Sequence, residues 1–399
     1  MHILMIAPEP FFEPRGTPFS EYHRIRALIA LGHTVDLVTY PFGKDVSLPG
    51  LRVFRCLRPP FIRKVRIGPS SAKVPLDVSL AMTALRQAVR GRYDLVHSHE
   101  EGAAIGVVLA AVLGVPHLYD MHSSLPQQLG NFKFSRSRVL RWCFEVFERV
   151  AVRRSRVVIV ICPELERLVR EQHPETDTVL IENAPGAGDV VTAGSRAEVR
   201  AEFGLSESAP VVLYTGTFEA YQGLDLLFGA ALDVVRARPD VRFLLAGGRS
   251  DQVDTARRDV AALGLSGHVI FTGERPSEDI PGLLDAADVL VSPRSRGTNT
   301  PLKIYQYLRS GRVIVATRLL THTQVLDDSV SVLTGATAPE FAAGILQALA
   351  DRAAAERIGA AAAHLAATKY SYEAYLARTR EAIGRLGLTQ GAVLPRSAA

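Results

Sequence analysis

Three cations crowd the start of one short helix in this chain of 399 residues. The stretch DVLVSPRSRGTNTPLKIYQYLRSG carries a buried apolar strand, Val289 to Val291, into a polar loop and then into a helix. Thr300 is placed to cap that helix and Pro301 to be its first residue, since proline has no N–H to leave unpaired there. A helix N-terminus presents free N–H groups and the positive end of its dipole, so it suits an anion. Lys303, in the first turn, opposes that dipole where an acid would stabilise it. Arg294 and Arg296 stand on the loop just before. The set reads as a pyrophosphate cradle, with a solvated basic loop as the plainer alternative.

Histidines mark a second group. In DLVHSHEEG, His97 and His99 alternate along one strand and so share a face, and Glu100 and Glu101 follow. A metal site needs a third ligand, which this spacing does not fix. The remaining readings are acceptor contact, for His99 and Glu101, and plain packing; for Glu101 the plain reading is an acid at a helix start. His122 follows Asp120 at the end of another strand and precedes Ser123 and Ser124. Side chains that bind ligands emerge at such strand ends, and an imidazole can donate to a ligand hydroxyl. Asp120 either holds that imidazole or acts as a base.

Two basic stretches, FIRKVRIGPSSAK and NFKFSRSRVLRWCFEVFERVAVRRSR, mix cations with Phe and Trp142. The second fits an amphipathic helix on an anionic membrane surface. Phe144, Phe147 and Val150 fit equally well as the stripe that faces a core.

These groups need a scaffold that brings strand ends together. Short apolar runs (HILMIA, TVDLVTY, DLVHSH, HLYDMH, VVIVIC, TVLIEN) alternate with helical patterns through the first half, and the alternation starts afresh at PVVLYTG. This predicts two doubly wound parallel sheets, with ligands at the strands' carboxyl ends. The Gly- and Ala-rich stretch 184–194 reads as the linker, Ala338 to Ala367 as one Ala-rich helix, and Tyr372 to Leu386 as a further helix before a frayed tail. The expected division is 1–184, 185–370, and a C-terminal 371–399 that packs back toward the first domain.

A chain of this length exceeds what one core organises comfortably. Hydrophobic residues make up 47% and charged residues 22%, a globular balance. No apolar run approaches the ~18 residues a spanning helix needs, and the short apolar start lacks a basic region before it. Cys56, Cys143 and Cys162 are scattered, which speaks against a disulfide framework or zinc site and suits a reducing cytosol. The net charge of +5 is small, and no nucleic-acid reading motif accompanies it.

The run PRSRGTNTPLKIYQYLRSGRVIVAT, with YTGTFEAYQGLDLLFGA, LLAGG, HVIFTGERP, VLIENAP and the opening PRGTPFSEYHRIRALIALGHTVDLVTY, resembles the family 4 retaining glycosyltransferases of the GT-B fold. The likeness runs in order through most of the first 370 residues. It implies an acceptor-binding first domain and a second domain that binds a nucleotide-diphosphate sugar carrying UDP or GDP. It further implies a glycan, lipid-linked or small-molecule acceptor, no metal, and a cytoplasmic enzyme with or without peripheral membrane contact. Gly16 matches the small residue that lets backbone approach the donor phosphates, and Gly247 and Gly248 match the glycines after the second strand of the donor domain. His122 matches the histidine that faces the reacting sugar. Gly216, Asn299, Thr300, Pro301 and Leu302 fall in the segments that contact the donor.

Four positions depart from the pattern. Thr298 and Gln306 stand where the family usually has two glutamates, and Thr217 and Gln222 stand where it has the Arg and Lys that hold the diphosphate. A rearranged phosphate site, with Lys303 and Arg294 or Arg296 supplying the charge, is the reading taken. In retaining transfer the leaving phosphate can accept the acceptor proton, so no dedicated base is required. An epimerase or phosphorolytic enzyme on the same scaffold, and a non-catalytic subunit of a polysaccharide assembly system, are the alternatives.

Overall fold

The computed structural model describes residues 1–13, 16–63, 73–125, 138–182 and 195–388. The stretch 184–194 read as a linker, most of the first basic stretch, the start of the second and the tail from 389 lie outside the described residues. The chain divides into two compact units, one holding Met1–Asn183 and the chain from Glu373 on, the other Ala184–Tyr372.

The first unit contains strands β1 (His2–Ala7), β2 (Thr34–Thr39), β3 (Leu51–Arg55), β4 (Leu95–His99), β5 (His117–Met121), β6 (Val157–Val160) and β7 (Thr178–Leu180). Between them run α1 (Gly16–Ala30), α2 (Lys73–Arg90), α3 (Ala103–Leu113), α4 (Arg138–Arg154) and α5 (Pro163–Gln172). The strands form one sheet in the order β3-β2-β1-β4-β5-β6-β7, every pair parallel. Alternation along β1 splits its side chains between two cores. Ile3, Met5 and Ala7 join Ile25 and Leu28 of α1, whereas Leu4 and Ile6 join Leu76 and Leu80 of α2. Strands buried on both faces are continuously apolar, which is why these runs were legible.

The second unit contains β8 (Val211–Thr215), β9 (Arg242–Ala246), β10 (Val269–Gly273), β11 (Val289–Ser292), β12 (Val313–Thr317) and β13 (Val332–Thr334). Its helices are α6 (Arg196–Glu202), α7 (Leu224–Ala237), α8 (Ser250–Ala262), α9 (Ile280–Ala286), α10 (Leu302–Ser310), α11 (Leu320–Thr323), α12 (Ala338–Ala350) and α13 (Arg352–Thr368). The sheet runs β10-β9-β8-β11-β12-β13, again all parallel. A last helix, α14 (Tyr372–Gly384), sets Tyr375 and Ala382 into the α1 side of the first unit's core.

Three features differ from the sequence reading. Strand β3, helix α6 and strand β13 were not anticipated, being short or half exposed. The Ala-rich stretch is two helices rather than one, because Asp351 interrupts it and its carboxylate accepts from the Ala354 N–H at 2.8 Å. Helix α10 starts one residue late, as described below. Among the described residues no helix is long and apolar enough to cross a membrane.

In both sheets the strand order reverses beside the first strand, at β1/β4 and at β8/β11. Successive crossovers leave in opposite directions there, which opens a crevice at the carboxyl ends where ligands bind. Both groups singled out in the sequence lie at these points.

Candidate functional site

In the second unit the crevice is built by close backbone approach. Gly223 (φ +73°) opens α7, and a Cβ there would stand 2.0 Å from the Pro293 carbonyl, so the loop after β8 lies directly on the loop after β11. Gly247 (φ +121°) is equally constrained, its Cβ position being 2.0 Å from the Gly216 oxygen. Gly248 abuts the Phe218 ring. The Gly216 and Gly247 N–H groups donate to Ala246 and Gly273 carbonyls. Two of the expected donor-site glycines, Gly216 and Gly247, thus have their amides engaged within the unit, and all three shape the crevice.

The loop from Pro293 to Thr300 is pinned from beneath. The Arg294 guanidinium donates to the Asn299 carbonyl (2.8 Å) and Thr321 Oγ1 (2.9 Å) and lies over the Tyr221 ring. Thr321 donates to the same Asn299 carbonyl, Gln324 to the Thr298 carbonyl, and Thr317 to the Arg294 carbonyl. His322 bridges Ser292 and Thr317, and burial pushes its pKa down to about 3, so it serves as a neutral brace. Arg296 is exposed, outside this buried group.

The expected cap is displaced by one residue. Pro301 is the N-cap, extended at ψ 136°, and its carbonyl accepts the Ile304 N–H; Leu302 is the first helical residue. Thr300 Oγ1 caps nothing and is buried without a hydrogen-bond partner. The shift places Lys303 second in the helix, only 8% exposed. Its Nζ sits 3.8 Å from the Tyr214 ring centroid and 3.1 Å from where a Cβ on Gly216 would be. It has no hydrogen-bond acceptor. Burial, and behind it the Arg294 charge, hold its pKa well below the ordinary lysine value. Gln222 donates weakly to Thr217 Oγ1 while its own carbonyl oxygen is buried and unsatisfied. Gln306, half-buried, lies one turn beyond Lys303.

A buried ammonium with no carboxylate is a costly arrangement, and such groups are normally paired. Here Lys303 Nζ, in the first turn of a nine-residue helix, and the hydroxyl of Thr300, just before its cap, are both buried without a hydrogen-bond partner. The group is complementary to an anion.

In the first unit, parallel register sets His99 beside Asp120, so His97, His99 and His122 meet around one carboxylate. His122 Nε2 lies 3.3 Å from Asp120 Oδ1 and 3.2 Å from His99 Nδ1; His97 Nε2 lies 3.6 Å from Asp120 Oδ2. Arg24 of α1 donates from Nε to Asp120 Oδ2 at 2.8 Å and from Nη1 to Thr379 of α14 at 3.1 Å. Burial pushes the Asp120 pKa up, but Arg24 and His122 together hold it well below the carboxylate range. Burial likewise pushes His97 and His99 down, His99 strongly, so both are neutral.

His97, His99 and Asp120 offer three ligand atoms within 4.8 Å of one another, the third ligand that strand spacing alone left open. The Arg24 guanidinium already neutralises that carboxylate, and a metal ion would place a second cation against it. The set fits orientation of His122 better than metal binding.

Around it lies a carboxyl cluster in which the sequence singled out Glu100 and Glu101 but not Glu9 or Glu21. Glu9, after β1, and Glu21 of α1 face each other; burial and then Glu21 push Glu9 well up, and burial pushes Glu21 to about 8. Glu100 has a left-handed backbone (φ +47°), the one non-glycine residue so placed among those described, and accepts from Ser123. Glu101 accepts from Lys73 Nζ at 2.5 Å through one carboxylate oxygen. Gly16 is the first residue of α1, with open space where a Cβ would be. Glu9, Glu21 with Arg24, and Lys73 come from the loop after β1, from α1 and from α2, with no shared motif, so only the fold brings them together.

Residues 22–184 match the family model described as glycosyl transferase 4-like domain, and residues 209–351 match that of the glycosyl transferases group 1. This chain belongs to the group 1, family 4 glycosyltransferases. Among relatives of this glycosyltransferase, the alpha-D-kanosaminyltransferase of Streptomyces kanamyceticus is 27% identical over 305 residues, covering 73% of this chain and 76% of that protein. The D-inositol 3-phosphate glycosyltransferase of Corynebacterium diphtheriae is 25% identical over 351 residues, covering 82% and 79%. Among solved structures, sucrose-phosphate synthase from Thermosynechococcus elongatus superposes with a TM-score of 0.76 at 21% identity, covering 97% of this chain and 99% of that one. Anabaena HepE, solved with UDP, gives 0.72 at 18%, covering 96% and 100%. The fold of this glycosyltransferase is GT-B.

Proposed function

We propose that this enzyme is a retaining, metal-independent glycosyltransferase that uses a UDP- or GDP-sugar and holds its diphosphate with Lys303. The observation that carries the reading is the buried, unpaired Lys303 ammonium in the first turn of α10. Where the family pattern has an Arg and a Lys, this chain has Thr217 and Gln222. The Lys303 amine ends beside Gly216, next to Thr217, so it delivers a positive charge to the same strand end from another helix.

In the proposed reaction the C1–O bond to the diphosphate breaks and the acceptor oxygen bonds C1 on the same face. The departing phosphate oxygen takes the acceptor's proton. Charge grows on the diphosphate as the bond breaks, and Lys303 with the free N–H groups of α10 stabilises it most at that point. Gln306 and Thr298, in place of the usual glutamates, hydrogen-bond donor hydroxyls as neutral partners. His122, held by Asp120, donates to a sugar hydroxyl. The carboxyl-rich surroundings of Glu9, Glu21 and Glu100 suit a hydroxyl-bearing acceptor, whether glycan, lipid-linked or small. The three free cysteines fit a cytoplasmic setting. Contact with an anionic membrane is part of the reading.

Calorimetric titration of UDP, GDP, ADP and dTDP without metal tests the proposal. Micromolar binding of one diphosphate that Lys303→Ala weakens supports it. If no diphosphate binds, or binding needs a divalent ion, the proposal fails, and the absent Glu, Arg and Lys positions favour a non-catalytic subunit.

A further inference from the structure

Helix α1 buries two charged side chains on one face, three residues apart, and they meet different fates. Arg24 pairs with Asp120. Glu21 is fully buried, yet neither of its carboxyl oxygens has a hydrogen-bond partner. Glu9 faces it from the loop after β1, and its Oε1 is likewise buried and unpartnered. That loop is fixed in place. Thr39 Oγ1 donates to the Glu9 carbonyl at 2.6 Å, and a Cβ on Gly102 would stand 2.9 Å from the Ile6 oxygen, so the chain leaving β1 lies on the turn after β4. Lys73, whose charge reaches Glu9, donates to Glu101 instead. Buried carboxyls are normally paired. Burial holds both of these well above the ordinary range, and a bound cation would bring them back to the ionised form.

The chemistry of the pair selects its ligand. Glu9 Oε1 and both Glu21 oxygens are three unpartnered acceptors. An ammonium brings a positive charge and three N–H donors, with no acceptor of its own to satisfy. A hydroxyl brings no charge. A divalent ion needs about six oxygens. Among the described residues the set at metal-ligand spacing is His97, His99 and Asp120, without either glutamate. The Asp120 charge adds to the rise of Glu21, so the pair lies near the carboxylate that holds His122. We propose that Glu9 and Glu21 bind the protonated amine of an amine-bearing acceptor, an amino sugar or aminocyclitol, and so set its attacking hydroxyl near His122. The inference rests on the acceptor role proposed for the first unit and names the acceptor's chemical class.

The experiment is calorimetric titration of glucosamine, N-acetylglucosamine, glucose and cyclohexylamine into the full chain, without nucleotide. Glucosamine should bind about tenfold or more tightly than glucose and N-acetylglucosamine, which lack the charge, and than cyclohexylamine, which lacks the hydroxyls. Glu21→Gln keeps the side chain's shape and should keep the circular dichroism spectrum. It should weaken glucosamine by roughly tenfold to hundredfold, the loss of a charged hydrogen bond, and leave glucose unchanged. Glu9→Gln, at a half-buried position, should act in the same direction and serves if the first variant fails to fold. Absence of glucosamine binding, equal affinity for glucose, or binding untouched by either variant overturns the proposal. Cyclohexylamine binding as tightly as glucosamine would overturn the assignment to an acceptor, and magnesium binding that Glu21→Gln abolishes would give the pair to a metal. Diphosphate binding is measured separately, so its absence with this pattern intact would count against the donor reading alone.

Discussion

Replacing Lys303 by methionine should move stability and affinity in opposite directions. Methionine keeps an apolar stem against the Tyr214 ring and removes the buried charge. In the free protein that charge has no acceptor, and an unsatisfied buried group costs about 1–3 kcal/mol, more when charged. Lys303→Met should therefore raise the thermal midpoint by several degrees, at ~2–4 °C per kcal/mol for a domain of this size. In the complex the ammonium makes a charged hydrogen bond, and its loss costs about 1.5–3 kcal/mol, or roughly tenfold to hundredfold in Kd. The pH dependence has a fixed sign. Because the folded pKa lies well below the ordinary 10.5, the unfolded chain holds the proton more tightly. Stability should accordingly rise as pH climbs from the folded pKa toward that value. The slope should vanish in Lys303→Met and shrink when a nucleoside diphosphate pulls the pKa back. Differential scanning calorimetry across pH, with and without the diphosphate, reads all three. A variant that is no more stable and binds within about twofold of wild type would refute the reasoning.

Three further outcomes are expected. Arg24→Met strands the buried Asp120 carboxylate and should cost about 3–5 kcal/mol in chemical denaturation, whereas Thr379→Val, which removes one neutral hydrogen bond, should cost only about 1 kcal/mol. Glu21 titrates near 8 when folded against 4.5 unfolded, so the folded state binds the extra proton; stability should fall as pH rises through that window, and Glu21→Gln should flatten the fall in a pH series of melts. Gly247→Ala adds a Cβ 2.0 Å from the Gly216 oxygen at positive φ, and should lose about 2 kcal/mol or more together with nucleotide binding; a wild-type midpoint would contradict the close approach of the two loops.

The sequence by itself determined most strands of both sheets and the cationic start of α10. Strands such as VVIV and VVLYT are buried on both faces, and that requirement is written as an unbroken apolar run. Lys303 was legible because a base in a first helical turn contradicts the dipole. Local rules placed the cap on Thr300, but the extended backbone of Pro301 moved it by one residue, a choice made where the loop packs against Thr321 and Gln324. The sequence also left His97 and His99 without a third neighbour. Asp120 reaches them only through the register of β4 with β5, and Arg24 only because α1 and α14 cover the same side of that sheet. The unpaired state of Lys303 and the facing of Glu9 toward Glu21 were equally beyond it. Spacing along a chain fixes which face a side chain takes, whereas the partners met on that face come from elements far apart in sequence, and packing alone brings those together.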